Sequence, residues 1–312
     1  MARRQLPLFP SSPTRPEDIS RQTTIRATLE LFSAYLIQEG KSPHTVKAFL
    51  ADLNLLIEYS GENVSVGYHT TTSLNRFLDW MERGRGVPCS RKTYARRVTT
   101  LKVYYKWLDE LDIVKDNAAK AILQRSGPAP LSHVLSPKEI RRIFKYARRL
   151  KRQKEDGQDY RPELLFWLLL DTGIKKNEAM ALSLKQVERK GSRAAILIKY
   201  KSRNVFKERR IKVDSDWVKL LDLYCEQYGI EDKLFTCTAR NLEYILTDMG
   251  QGVEVPFKLS FEVMRWTCAV QDFRKGMDEN QIREKLGLSE TSWYETGRKI
   301  RVLADQLSQT VK

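Results

Sequence analysis

Histidine is scarce in this chain of 312 residues: only His44, His69 and His133 are present, and none lies beyond position 133. The cysteines are also few and lack the close spacing of metal ligands; they are Cys89, Cys225, Cys237 and Cys268. We therefore expect no metal site and four reduced thiols, as in a cytoplasmic protein, with Cys268 as a small core residue.

Long apolar runs are absent. The longest, LLFWLLL at 164–170, falls well short of the roughly 18 residues that span a bilayer, so we expect no membrane attachment. The first 22 residues, MARRQLPLFPSSPTRPEDISRQ, contain no apolar core of signal-peptide length. We expect residues 1–23 to form a flexible basic tail and the protein to be cytoplasmic and nucleoid-associated.

Positive charge is abundant: 55 lysines and arginines face 39 acidic residues, which leaves a net charge of +16. Such a surplus favours a polyanionic partner, because each neutralised phosphate releases condensed counterions. The length suits two domains with separate cores. A polyanion is therefore the expected partner.

Residues 24–125 follow a helical pattern, with Ser42 as a plausible N-cap before Pro43. The helix RKTYARRVTTLKVYYKWLDEL at 91–111 combines an apolar stripe with a second side that carries cations and no carboxylate. Contact with a phosphate backbone explains this cationic side of the helix better than exposure to solvent does. The predicted DNA-contacting residues of this helix are Lys92, Arg96, Lys102 and Lys106.

Residues 126–135 form a predicted linker with glycine and prolines, and residues 136–312 a second domain. Ser136 caps its first helix, and two further helices flank Gly173. Two strands, RAAILIKY and KERRIKV, are joined by the basic turn KSRNVF. Arg240 begins a later helix, where an N-terminus suits a phosphate. Further expected DNA contacts lie on the turn and beside it: Lys201, Arg203 and Lys207.

These patterns resemble the tyrosine recombinase (phage integrase) family across residues 24–305. The resemblance rests on GKSPHTVKAFLADLNLLIEYSG, LKVYYKWL, LSPKEIRRIF, DTGIKKNEAMAL, the hairpin and MRWTCAVQDFRKGMDENQIREKLGL, all in the family's order. It implies a mainly α fold: a helical, SAM-like core-binding domain, then a mostly helical catalytic-type domain with a small antiparallel sheet. In that family two domains clamp duplex DNA, and a tyrosine forms a 3′-phosphotyrosyl link without a cofactor.

The resemblance also assigns the catalytic positions, and most of them are altered. The first arginine of the family is Lys175 here, which keeps the charge but loses the two-pronged guanidinium. Lys201 is the best match for the hairpin lysine, although Lys199 and Lys207 stay open as alternatives. The second arginine is Arg265, which we expect to contact DNA as well.

Three further positions depart from the family. Glu262 stands where the family has a proton donor, and its negative charge would repel a phosphate unless protonated. Leu288 replaces a histidine or tryptophan and donates no hydrogen bond. The nucleophile position falls on Gly297, while Tyr294 lies three residues early, almost one helical turn. Because in-line attack tolerates little misplacement, we interpret Tyr294 as a packing residue.

The sequence therefore predicts a DNA clamp that has lost cleavage, acting as an architectural or accessory protein. Two alternatives remain: an active recombinase that uses Tyr294, and a protein-interaction scaffold that ignores DNA. An active recombinase or a second copy of the chain are further candidate partners. The C-terminal segment either docks onto a neighbouring copy or packs on its own domain.

Overall fold

The computed structural model describes residues 13–87, 89–123, 130–150, 157–190, 193–202 and 205–310. These ranges contain twelve α-helices and one three-stranded antiparallel sheet, which confirms the predicted mainly α fold class. The chain divides into two compact units, residues 1–129 and 130–312, and each has its own hydrophobic core. None of the helices in the described ranges is both long and apolar enough to cross a membrane.

The N-terminal unit is built from four α-helices: α1 (Ile25–Gln38), α2 (Pro43–Ser60), α3 (Thr71–Asp79) and α4 (Arg91–Glu110). The hydroxyl of Ser42 accepts a hydrogen bond from the Thr45 amide, so the predicted cap of α2 is confirmed. A short π-helical turn, Trp80–Gly84, continues α3. The apolar stripe predicted for α4 is buried, with Val98, Leu101 and Leu108 almost fully enclosed.

The prediction of a flexible tail extending to residue 23 is wrong for its last residues. Pro16–Asp18 form a 3-10 turn, and Ile19 is buried in the core of the N-terminal unit. The amide of Val66 donates to the carbonyl of Thr23, which holds the segment against the unit. Burial of one large aliphatic side chain stabilises such a segment by about 1.5–3 kcal/mol.

The C-terminal unit begins with α5 (Pro137–Ala147), whose capping box pairs Ser136 with Glu139, as expected from the Ser-Pro start. Two helices follow, α6 (Tyr160–Thr172) and α7 (Lys176–Ala181), with Gly173 between them. The remaining helices are α8 (Ser215–Tyr228), α9 (Ala239–Gly252), α10 (Phe261–Arg274), α11 (Glu279–Lys285) and α12 (Glu290–Thr310).

The sheet differs from the predicted hairpin in two respects. The strands β2 (Arg193–Ser202) and β3 (Val205–Val213) extend into the segment predicted as a turn, because their pairing continues to Ser202 opposite Val205. A third strand, β1 (Val187–Lys190), pairs with β2 and escaped the sequence analysis. Its four residues, VERK, are too few and too polar to show a strand pattern.

The last helix packs on its own unit. Ile300, Leu303 and Ala304 of α12 are buried in an apolar cluster that includes Ala269 and Val270 of α10. This is one of the two alternatives for the C-terminal segment. The cluster also fixes α11, so α10, α11 and α12 form one layer of the unit.

Candidate functional site

Lys175 is placed by the sharp connection between α6 and α7. Gly173 ends α6 with a φ of 57°, in the left-handed region that favours glycine. Lys175 is the N-cap residue of α7, and its amide donates to the Glu178 carboxylate at 2.8 Å. Its exposed side chain starts at a helix N-terminus, so a negative ligand would be favoured there.

Arg265 lies on the first turns of α10 and is half-buried. Its guanidinium donates to the carbonyls of Gly173 and Leu286, each at 2.6 Å, from two separate segments. These bonds hold the side chain in one orientation beside the α6–α7 connection. Burial lowers the pKa of Arg265, and the positive charge of Arg209 acts in the same direction.

Lys175 and Arg265 repel each other electrostatically. Desolvation lowers the pKa of Lys175, and the Arg265 charge lowers it further. Two cations held this close are more stable when an anion lies between or above them. The arrangement therefore suits a phosphate group.

Glu178 and Arg209 form a buried ion pair next to these cations, which the sequence analysis missed. The Arg209 guanidinium donates to both oxygens of the Glu178 carboxylate, at 3.0 and 2.8 Å. Its Nε also donates to the carbonyl of Lys285 at 2.8 Å. One signal was available: Glu178 lies three residues after Lys175 at the start of a helix, the spacing of a capping box.

A second cluster of polar side chains, Lys285, Asp272 and Cys268, lies on α10 and at the end of α11. Lys285 donates to Asp272 at 2.5 Å, and the Cys268 thiol lies 3.7 Å from the same carboxylate. Cys268 is buried, as predicted for a small core residue, and burial raises the pKa of its thiol to about 12. The thiol is therefore protonated at neutral pH and belongs to the packing of the unit.

The two positions at which the resemblance implies proton donors hold a glutamate and a leucine. Glu262 is exposed in the first turn of α10, three residues before Arg265, and makes no ion pair with any described residue. Leu288 follows Gly287, whose φ is 62°, and it packs against the apolar cluster of α10 to α12. An alkyl side chain thus stands where the resemblance implies a hydrogen-bond donor.

The interpretation of Tyr294 as a packing residue is wrong. Its side chain is 83% exposed, while the adjacent Trp293 packs into the apolar cluster. At Gly297, where the resemblance implies the nucleophilic tyrosine, a Cβ would approach the Trp293 ring to 3.0 Å. The amphipathic phase of α12 therefore turns Trp293 inward and Tyr294 towards solvent.

The hairpin lysines are only partly described. Lys201 lies on β2 opposite Phe206, but its side chain, like the whole of Arg203, falls outside the described residues. Lys199 and Lys207 are exposed on the two strands. The match of Lys201 to the family lysine stays a prediction.

The prediction that no carboxylate accompanies the cations of α4 is wrong. Arg96 donates to the buried Asp52 of α2 at 2.8 Å, and Lys106 pairs with Glu110 at 3.1 Å. Burial raises the pKa of Asp52, while the Thr100 hydrogen bond and the charges of Arg96 and Arg97 act in the opposite direction. Lys92 is exposed and Lys102 half-buried, and neither has a carboxylate partner among the described residues.

Arg240 lies at the N-terminus of α9, where Thr238 is the N-cap residue. Its guanidinium donates to the Tyr244 hydroxyl at 2.8 Å and stacks over that ring. Both side chains are exposed, so the pair is accessible to a ligand. Within the described ranges, no group of three or more His, Cys, Asp or Glu is arranged to hold a metal ion.

Comparisons with known proteins extend over both units. Residues 29–110 match the family described as phage integrase, N-terminal SAM-like domain. Tyrosine recombinase XerC of Myxococcus xanthus is 26% identical over 306 residues, which cover 92% of this chain and 97% of the relative. Tyrosine recombinase XerC of Lacticaseibacillus casei (strain BL23) is 23% identical over 287 residues, 84% of this chain and 91% of that protein.

Solved structures show the same fold. XerH site-specific recombinase, bound to a palindromic difH substrate in a post-cleavage complex, has a TM-score of 0.67 at 17% identity; the match covers 95% of this chain and 93% of that one. A lambda integrase dimer bound to a COC′ core site also has a TM-score of 0.67, at 12% identity, with coverages of 88% and 77%.

Proposed function

Because the chain belongs to the tyrosine recombinase family, we propose that it binds duplex DNA and holds a backbone phosphate without cutting the strand. The observation that carries this proposal is that the Arg265 guanidinium is hydrogen-bonded to the Gly173 carbonyl, two residues before Lys175, so both cations lie at the α6–α7 connection, at the family's phosphate-binding positions. A phosphate oxyanion satisfies both, and its attraction to the two cations is strongest where water is partly excluded. No cofactor is needed to hold a phosphate in this way.

Loss of cleavage follows from what surrounds the two cations. A phosphodiester needs a proton for its leaving oxygen, and Leu288 cannot supply one. Glu262 is exposed and would place a negative charge near the phosphate. Lys175 binds as a point charge and lacks the fork that stabilises a transition state with several charged oxygens.

Further contacts to the DNA backbone are proposed for cations of each unit. In the N-terminal unit they are Lys92, Lys102 and, with part of its charge offset by Glu110, Lys106. Arg96 is not proposed as a DNA contact, because its guanidinium is paired with Asp52. In the C-terminal unit they are Lys201, Arg203, Lys207 and Arg240.

The similar structures include assemblies of several recombinase protomers on DNA. One is a lambda integrase dimer bound to a COC′ core site, and another is a lambda integrase tetramer bound to a Holliday junction. We propose that this chain likewise acts beside further recombinase protomers, either its own copies or an active enzyme, in the cytoplasm on chromosomal DNA.

The test is the affinity for a duplex in filter binding or fluorescence anisotropy. Lys175→Ala and Arg265→Ala should each weaken binding by about tenfold, the order of one lost charge-assisted hydrogen bond. Lys176→Ala is the matched control, since this neighbour of Lys175 is already paired with Glu243 at 2.7 Å. Equal affinities for all four proteins would rule out a phosphate at this site.

A second function is supported by one observation, the 83% exposure of Tyr294. An accessible tyrosine on the first turns of α12 is free to attack a phosphodiester, which would make the protein an active recombinase. Nicked duplexes should be incubated with the protein, quenched in detergent and searched for a covalent adduct. An adduct that Tyr294→Phe abolishes and that Tyr68→Phe, a change at another exposed tyrosine, preserves would establish cleavage.

A further inference from the structure

Glu178 is a buried carboxylate next to the cations of the site, and Arg209 occupies both of its oxygens. We propose that Arg209 is a positioning residue: by holding the Glu178 carboxylate, it keeps the Lys175 ammonium available for a phosphate. This inference rests on the proposed function of the same site. It concerns a residue outside the phosphate-binding set.

The carboxylate is fully engaged. Oε1 accepts from Arg209 at 3.0 Å, and Oε2 accepts from Arg209 at 2.8 Å and from the Lys175 amide at 2.8 Å. The Arg209 and Glu178 side chains are only 8% and 4% exposed. Burial favours the neutral acid, but the Arg209 fork outweighs it and lowers the pKa of Glu178, so the group is an anion.

Without Arg209 the nearest available cation would be Lys175. The two residues are three apart at the start of α7, a spacing at which opposite charges pair. In the structure the Lys175 ammonium forms no ion pair with any described residue, although Glu178 already lies close enough to raise its pKa. An unpaired Glu178 would therefore bind Lys175 and present a negative charge to an incoming phosphate.

Arg209 is also fixed where it is needed. Its Nε donates to the Lys285 carbonyl, and a Cβ on the following Gly287 would lie 2.9 Å from its Nη1. The guanidinium thus lies tightly between β3, α7 and the end of α11. The Leu286 carbonyl in that same segment orients Arg265, so Arg209 supports both cations of the site.

The experiment compares Arg209→Met, the double variant Arg209→Met with Glu178→Gln, and the control Arg210→Met. Arg210 is adjacent on β3 and pairs with Glu188 at 2.6 Å; the two side chains are 46% and 35% exposed. Replacing Arg210 therefore removes the same charge at a site away from Glu178. Two quantities are measured on the full chain: the Kd for a DNA duplex, and the pKa of Lys175 without DNA. The pKa is followed by NMR after reductive ¹³C-methylation, with Lys175→Arg to assign the signal.

We expect Arg209→Met to raise the pKa of Lys175 and to weaken DNA binding by about tenfold, because a carboxylate replaces the phosphate as its partner. Adding Glu178→Gln should restore the affinity to within about twofold of Arg210→Met, since no anion then remains. If Arg209→Met does not fold, as thermal unfolding would show, Arg209→Gln is used; it removes the charge but keeps a side chain that can donate a hydrogen bond.

Two results would overturn the inference. One is an unchanged pKa of Lys175 in a folded Arg209 variant, and the other is a double variant that binds DNA no better than Arg209→Met. Failure of the wild-type protein to bind DNA would instead contradict the proposed function. The pKa measurement needs no DNA, so the two failures are distinguishable.

Discussion

His69 is buried in the N-terminal unit between the hydroxyls of Ser60 and Ser73, at 3.2 and 3.1 Å from its ring nitrogens. Burial lowers its pKa to about 4. Both serine contacts are available to a neutral imidazole, which donates from one nitrogen and accepts at the other. The folded protein thus holds this histidine uncharged.

This burial makes folding pH-dependent with a defined sign. Between the folded pKa of about 4 and the unfolded value of 6.5, the unfolded chain binds the extra proton, so the free energy of unfolding decreases as the pH falls through that window. The full contribution is about 3 kcal/mol for a difference of this size.

The measurement is urea unfolding at several pH values between neutral and pH 4. His69→Gln should flatten the pH dependence, while His44→Gln, a change at an exposed position, should keep the slope because His69 is still present. A slope unchanged by the loss of His69 would contradict the assignment.

Gly173 combines two demands, a left-handed φ of 57° and close packing. A Cβ there would lie 3.1 Å from Leu286 and 3.2 Å from the Cys268 sulfur. Gly173→Ala should therefore lower the free energy of unfolding by about 2–3 kcal/mol, through backbone strain plus overpacking.

Gly40→Ala separates these two causes. Gly40 has a similar φ of 70°, but its added Cβ would meet nothing within 4 Å. This control should cost only about 1 kcal/mol in chemical denaturation. Equal losses for the two variants would show that packing against Cys268 contributes nothing.

Helix α4 contains two kinds of cation, which should respond differently to mutation. Arg96 is 40% exposed and compensates Asp52, which is 3% exposed and also contacts Arg97 and Thr100. Arg96→Ala should lower the free energy of unfolding by about 1–2 kcal/mol, less than for a fully buried pair because solvent screens Arg96 and two other donors remain.

Lys92→Ala should instead leave stability unchanged and alter DNA binding. The slope of log K against log salt concentration should become smaller by about 0.9, the value for one lost phosphate contact. The readouts are unfolding curves and a salt titration of DNA affinity. A Lys92 variant with an unchanged salt slope would exclude this residue from the interface.

Strand β3 shows how neighbouring residues of one element take different roles. Arg209 and Arg210 point to opposite faces of the sheet, as alternation requires. The first is buried against Glu178, and the second is exposed beside Glu188. This alternation is why Arg210 is a valid control for Arg209.

The net charge of +16 is a property of the whole chain. If about six phosphates are neutralised, the affinity for duplex DNA should fall on the order of a thousandfold between about 50 and 200 mM salt. Fluorescence anisotropy on one duplex over that range is the measurement. Absence of any salt-sensitive binding to the duplex would support the protein-interaction scaffold.

Much of the fold is encoded locally, and those parts were predicted. Ser42 before Pro43 and Ser136 before Pro137 cap helices because a hydroxyl two or three residues before an amide can reach it without help from distant residues. Gly173 ends α6 because its φ is a property of one residue. The order of the family's motifs likewise led to the fold class before any contact was known.

Contacts between distant residues account for what was missed. Arg96 and Asp52 are 44 positions apart, and Arg209 and Glu178 are 31 apart, so no local pattern indicates that either pair forms. The exposure of Tyr294 depends on which face of α12 meets α10, and that is settled by how Trp293 and Ile300 pack. Charge and helix boundaries are properties of the chain, whereas partners and burial arise only when separate elements come together, because they depend on distances that folding alone creates.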